Sequence, residues 1–353
     1  MKRIFTIITL ITAVVVTSCV KKEYVTEVNN DFTTNYEVFW NYVNENYCYL
    51  GDNYGYTKNV DWNAVYAEMM PQVKSATTEM ELLEIMGKSI DYLKDGHVWI
   101  DTKFKHRGCM TFYYDENGVK YPKNYISGVV AEKYLGYPFK SRNGHVYGTI
   151  TRDGKSFFYV HHADFSKVFN SEDLELFKPL IKKSSGIIYD IRTNPGGSAQ
   201  YSLEMAGRFI KEKMLVGYQV VKSGKGYNDL TEPMPLYMMP VDAHDNWADI
   251  ETMVLTNRDV YSTANMFASF MKLAPKVTLV GGITGGGGGQ PTSYYLPNGW
   301  TVTMSAQRMS LDLDKVHIEP GVKPDIEVNI SDADMAGRVD SILEKAIEEL
   351  LKN

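Results

Sequence analysis

The chain has 353 residues, 44% apolar and 23% charged, with 28 Gly and 13 Pro, which excludes wholesale disorder and low-complexity behaviour. Lys and Arg number 37 against 43 Asp and Glu, a net charge of −6, so no basic face for nucleic acid is implied. The cysteines (Cys19, Cys48 and Cys109) are too few for a disulfide scaffold, and no CxxC pair suggests zinc or another metal.

Lys2 and Arg3 precede an apolar run from Ile4 to Val16, followed by Val16-Thr17-Ser18-Cys19. A charged start, a short apolar run and small residues read as a secretory signal peptide over 1–18. The run falls short of the roughly 20 residues a membrane span needs. A Cys directly after small residues resembles the lipobox of bacterial lipoproteins. That implies lipid on Cys19, residues 19–30 as a polar tether, and a place in the bacterial cell envelope, anchored outside the cytoplasm. Cys48 and Cys109 could pair in such an oxidising compartment, which the sequence alone does not decide.

Apolar residues at Phe32, Tyr36, Phe39, Trp40, Val43 and Tyr47 share one face of a helix. Asp61 opens a second helix, which Pro71 is expected to interrupt. Thr78-Glu79-Met80-Glu81 is a capping-box pattern opening a third, with Leu82, Ile85, Met86, Ile90 and Leu93 inward. Residues 31–96 are therefore expected to form a small helical lobe. After Lys94-Asp95-Gly96 the apolar period changes to two. His97–Ile100, Gly148–Ile150 and Phe157–Val160 read as strands, with turn signals at Asp115–Gly118 and Arg142–Gly144. Ser171-Glu172-Asp173 is expected to cap a helix facing inward through Leu174, Phe177, Leu180 and Ile181. From Gly186 strands and helices alternate: strand 186–192, turn 194–197, helix 198–211, strand 253–257, helix 262–273, strand 276–281. Such alternation predicts an α/β core with right-handed βαβ crossovers.

Four loops at the ends of these elements could carry chemistry. His97, in Asp95-Gly96-His97, is alone, and a lone His at a strand edge is more often a surface or core residue than a catalyst. Asp190–Gly197 ends in consecutive glycines, which can aim backbone N–H groups at an anion or merely allow tight packing. Ser262, after the strand 253–257, is in the position of an ordinary N-cap. A Ser at that junction can also expose its hydroxyl and offer the next N–H to an oxyanion. Glu319 lies in a loop fixed by Pro320, Gly321 and Pro324. Gly285–Gly289 lacks a Lys before Ser or Thr, so it is no P-loop.

In this order, Asp95-Gly96-His97, Asp190–Gly197, Ser262-Thr263, Gly282–Gly289 and Glu319–Asp325 resemble the tail-specific (C-terminal processing) serine peptidases and their tricorn-core relatives. The resemblance covers residues 31–330. It implies Ser262 as nucleophile, His97 as general base, Glu319 as the acidic group that orients it, and an oxyanion hole from the N–H of Thr263 with one from Gly196 or Gly197. It also implies a crotonase-like βαβ spiral over 97–353, a peptide or protein substrate, and no cofactor. Three departures stand out. The Lys of the family's Ser-Lys dyad is replaced by Gly287, the acidic residue three after the nucleophile is Asn265, and 92 residues between His97 and Asp190 leave no room for a PDZ insert. The leading reading is an exported, lipid-anchored serine peptidase. The rival is a non-catalytic ligand- or peptide-binding protein on the same scaffold. An acyl-CoA enzyme shares the fold but conflicts with export.

Overall fold

The computed structural model describes residues 30–51, 57, 59–109, 114, 117–135, 140–142, 144–167, 169–313 and 316–352. The expected signal peptide, Cys19 and all but the last residue of the tether lie outside the described residues.

Asp31 caps α1 (Phe32–Asn46), its carboxylate accepting the Thr34 N–H at 2.7 Å, and Tyr36, Phe39 and Val43 are buried. Asp61 caps α2 (Trp62–Ser75) in the same way. Pro71 does not interrupt this helix; it lies inside it, between buried Met70 and Val73. An interior proline forfeits one N–H and crowds the preceding turn, at a cost of about 3 kcal/mol. The apolar face around it outweighs that cost. Trp40 and Trp62 lock the two helices together, each indole N–H donating to the other's carbonyl at 2.9 and 3.1 Å. The Thr78/Glu81 capping box opens α3 (Glu79–Asp91).

The strands are β1 (Trp99–Asp101), β2 (His106–Gly108), β3 (Lys140–Arg142), β4 (His145–Arg152), β5 (Lys155–His161) and β6 (Gly186–Asp190). They continue with β7 (Met214–Val221), β8 (Met234–Met238), β9 (Thr252–Thr256), β10 (Val277–Gly281), β11 (Gly289–Tyr295), β12 (Thr301–Ser310) and β13 (Ile326–Glu327). The intervening helices are α4 (Ser171–Lys182), α5 (Ala199–Ala206), α6 (Thr263–Met271), α7 (Asp332–Gly337) and α8 (Ser341–Lys352). Several local boundaries differ from expectation, β6 for instance ending at Asp190 rather than Arg192. His97 precedes the strand rather than starting it, Asn170 rather than Ser171 caps α4, and α5 ends at Ala206 in a short 3₁₀ turn.

One sheet has the order β13-β10-β9-β6-β5-β4-β3, parallel from β13 to β5. Strands β6 and β9 are buried at every position, as parallel strands covered on both faces must be. Ile187 and Tyr189 pack with Phe209 and Phe267 on one face, and Ile188 packs with Leu255, Ile342 and Ile347 on the other. The second sheet is antiparallel, β2-β1-β12-β7-β8 with β11 also on β12; the sequence reading assigns no element to 214–238 or 289–310. Ile100, Trp300, Val302 and Met304 of this sheet share one core with α1, α2 and α3. The loops leaving β6 and β9 at their carboxyl ends carry Gly196, Gly197, Ser262 and Thr263, where open α/β sheets place their sites, whereas His97 precedes β1 and Glu319 follows β12.

Candidate active site

Ser262 is the residue before α6, at φ +55° and ψ −125°, and its side chain makes no capping hydrogen bond. A non-glycine residue held there stores about 1–3 kcal/mol of strain and persists only where its surroundings dictate it. They do so from several sides. The Ser262 N–H donates to Gly286 O at 2.9 Å, the Tyr261 N–H to Asn194 O at 3.1 Å, and Thr263 Oγ1 to Gly197 O at 2.9 Å. The hydroxyl is thus left over from the local backbone accounting, which an N-cap serine would not allow.

The glycine turn after β6 abuts this junction. A Cβ on Gly196 would stand 2.9 Å from Ser262 Cβ and from Thr263 N, so only glycine permits the approach. The Gly196 N–H donates to Asn194 Oδ1 at 2.9 Å, whereas the N–H groups of Thr263 and Gly197 find no acceptor among the described residues. The turn is braced from below by Arg192. Its guanidinium lies between Asp190 and Asp340, at 2.7 and 2.8 Å, with all three side chains fully buried. Burial alone would raise the Asp190 carboxyl, but Arg192 overrides it and holds the group below the usual carboxylate range.

His97 is 6% exposed, and its ring lies on that of Tyr261, centroids 4.8 Å apart. Its backbone N–H donates to Asp95 Oδ1 at 2.6 Å, and its ring Nδ1 has no hydrogen-bond partner among the described residues. Burial pulls its pKa below the ordinary 6.5, against the opposing pull of Asp95 and the Gly289 backbone. The imidazole is therefore neutral at neutral pH, the form a general base needs. Glu319 is 6% exposed, and its Oε2 accepts the Gly289 N–H at 3.2 Å. Burial, and then the nearby Asp95 carboxylate, push its carboxyl well up.

Between Ser262 and Glu319 runs the glycine segment 286–289. A Cβ on Gly286 would collide with Glu319 O, one on Gly287 would lie 2.6 Å from Tyr261 Cζ, and one on Gly288 2.7 Å from Ile318 Cγ1. Position 287 cannot take the dyad lysine of the resembling family, because Tyr261 fills the space. Asn265 has an equally local explanation. Its amide donates to Ile318 O at 2.9 Å and accepts from Thr284 Oγ1 at 2.6 Å, tying α6 to the residue before Glu319. A carboxylate has no hydrogen to donate there.

The structure thus gathers Ser262, Thr263, Gly196 and Gly197 into one turn, places His97 against the residue preceding Ser262, and sets Glu319 behind the glycine segment. No hydrogen bond joins His97 to Ser262 or to Glu319 in this resting arrangement. Sequence reasoning missed Tyr261, Tyr47, Tyr49 and Ser305 around the site. Cys48 and Cys109 are buried and unpaired with each other. Among the described residues, no cluster of His, Cys, Asp and Glu could hold a metal, and no helix is long and apolar enough to cross a membrane.

Residues 156–328 match peptidase family S41, and residues 28–90 match the tricorn protease C1 domain. The crystal structure of a Parabacteroides merdae ATCC 43184 protein assigned as a peptidase is 37% identical, covers 92% of this chain and 98% of its own, and superposes with a TM-score of 0.82. The chain belongs to peptidase family S41. This S41 chain is accordingly a serine-type peptidase, a hydrolase, with an α/β peptidase fold. It is 28% identical over 183 residues to the carboxy-terminal processing protease CtpA of Bacillus subtilis (strain 168), across 49% of this chain and 35% of that one. The matched region is only about a third of that relative's length. Mature CPAF in complex with lactacystin shares the fold of the S41 chain, with a TM-score of 0.67 at 12% identity over 91% of this chain and 98% of that one.

Proposed function

We propose that this S41 peptidase is exported, hydrolyses peptide bonds of a peptide or protein substrate through Ser262, His97 and Glu319, and works outside the cytoplasm on a lipid anchor at Cys19. The catalytic groups would sit on a crotonase-like spiral formed by 97–353, joined to the helical lobe of 31–96. The observation that carries the reading is Ser262 itself: a strained, non-glycine φ with an uncommitted hydroxyl, followed by an N–H without an acceptor among the described residues.

In the chemistry this implies, neutral His97 removes the Ser262 Oγ proton as that oxygen attacks the scissile carbonyl. The developing oxyanion takes the Thr263 N–H and, since the Gly196 N–H already serves Asn194, that of Gly197. His97 then returns the proton to the leaving amine, and water repeats the sequence on the acyl-enzyme. Glu319 fixes the tautomer and stabilises the imidazolium. Catalytic hydrogen bonds are often long or unformed before substrate arrives, which accommodates the open contacts of the resting chain. Degradation of an unfolded protein such as casein by the wild type, with none by folded Ser262→Ala, is the expected result. Equal degradation by both would overturn the reading. For the anchor, wild type should partition with membranes and Cys19→Ala should not.

A further inference from the structure

We propose that Asp95 is the positioning residue for His97, and that Tyr47 of the helical lobe holds Asp95 in place. The proposal rests on the assignment of Ser262 and His97 made above. Asp95 is 1% exposed, and its two oxygens collect donors from four parts of the chain. Oδ1 accepts the His97 N–H at 2.6 Å and, more distantly, the Tyr261 hydroxyl at 3.4 Å. Oδ2 accepts the Tyr47 hydroxyl at 3.0 Å and Ser305 Oγ at 3.0 Å. One carboxylate therefore links the turn bearing the base, the residue before the nucleophile, strand β12 and the end of α1.

A buried carboxylate is tolerable only when donors surround it, and the arrangement here spends those donors on fixing the base. The His97 ring has little tether of its own: Nδ1 is without a partner among the described residues, the ring's hydrogen bond goes to the Gly289 backbone, and Glu319 is engaged by the Gly289 N–H rather than by the imidazole. The ring is otherwise set by its backbone, anchored by Asp95, and by the Tyr261 face on which it rests. Tyr47 is the C-cap of α1, its N–H bonded to Val43 O at 3.0 Å, so its hydroxyl is delivered by the helical lobe. The lobe matching the tricorn C1 domain is on this account part of the catalytic apparatus rather than an appendage.

The test measures kcat and KM on a fluorogenic peptide for wild type, Asp95→Ala, Asp95→Asn, Tyr47→Phe and Ser262→Ala, with folding of each checked by thermal melting. Misplacing a catalytic group by an ångström costs about 100-fold, so Asp95→Ala should lose roughly that much in kcat while KM stays within about threefold. Asp95→Asn keeps an oxygen for the His97 N–H and should recover about tenfold of the loss, and Tyr47→Phe should lose about tenfold. A folded Asp95→Ala with wild-type kcat, or an Asn variant no better than Ala, overturns the proposal. If Asp95→Ala does not fold, wild-type kcat in both Asp95→Asn and Tyr47→Phe overturns it instead. Loss in Ser262→Ala with none in the other variants sinks the positioning role alone. Retained activity in Ser262→Ala sinks the assignment of the nucleophile and this inference with it.

Discussion

The His97 ring rests on the ring of Tyr261, centroids 4.8 Å apart and planes inclined at 58°, so the proposed base is registered against the residue that immediately precedes Ser262, the proposed nucleophile. The same tyrosine blocks the space above Gly287. One side chain thus places the histidine and shuts out a lysine.

Because the Ser262 hydroxyl caps nothing, removing it should cost the fold little. The strain lies in the backbone, at φ +55°. Ser262→Gly should therefore melt higher than Ser262→Ala, by about 1 kcal/mol, since glycine adopts this conformation without penalty. Both variants should be inactive. Thermal melts of the two side by side would refute the strained turn if Ala proved the more stable.

Gly287 has φ +79° and no room for a Cβ beside Tyr261. Gly287→Lys should not create a Ser-Lys dyad. It should displace Tyr261, and with it His97, lowering kcat/KM by about 100-fold or more. Wild-type activity in this variant would show that the ring is free to move.

His97 is held below its ordinary pKa, first by burial. A base is competent above its pKa and lost below it, so kcat/KM should be flat at neutral pH and half-maximal at a pH under about 6.5. Unfolded histidine takes up protons at higher pH than the folded one. The stability tied to His97 is therefore complete above about 6.5 and falls as the pH drops from there through the folded value. The carboxyl of Glu319, which also faces this region, is pushed the opposite way by burial and then by Asp95. An acid limb centred above about 6.5 would hand control to Glu319.

Arg192 lies fully buried between Asp190 and Asp340, and Asp340 Oδ1 also accepts the Leu343 N–H of α8 at 3.1 Å. Breaking one arm of such a buried triad leaves an uncompensated charge, so Asp340→Ala should destabilise the protein by about 3–5 kcal/mol. Denaturant titration reads this directly, and a change under about 1 kcal/mol would show that water reaches Arg192.

Much of this was legible in the sequence wherever the signal was local. The caps at Asp61 and Thr78, the buried strand β6 and the strand–Ser–helix junction at Ser262 all depend on neighbours within a few residues. The antiparallel sheet was not legible. Strand β12 is buried at almost every position rather than at alternate ones, and β11 slips register between Gln290 and Pro291, so the period of two is erased. The setting of Asp95 was hidden for a different reason. Its partners Tyr47 and Ser305 lie 48 and 210 residues away, and no local pattern encodes that meeting. Pro71 misled because packing, not propensity, decides α2.

The central claim is that Ser262 is a nucleophile activated by His97. Fluorophosphonate labelling followed by intact-mass and peptide mass spectrometry tests it most directly, comparing wild type with His97→Ala. One adduct on Ser262 in wild type, formed at least about 1,000-fold more slowly in His97→Ala, is the predicted result. An adduct on another residue, or labelling of Ser262 at the same rate without His97, would contradict it.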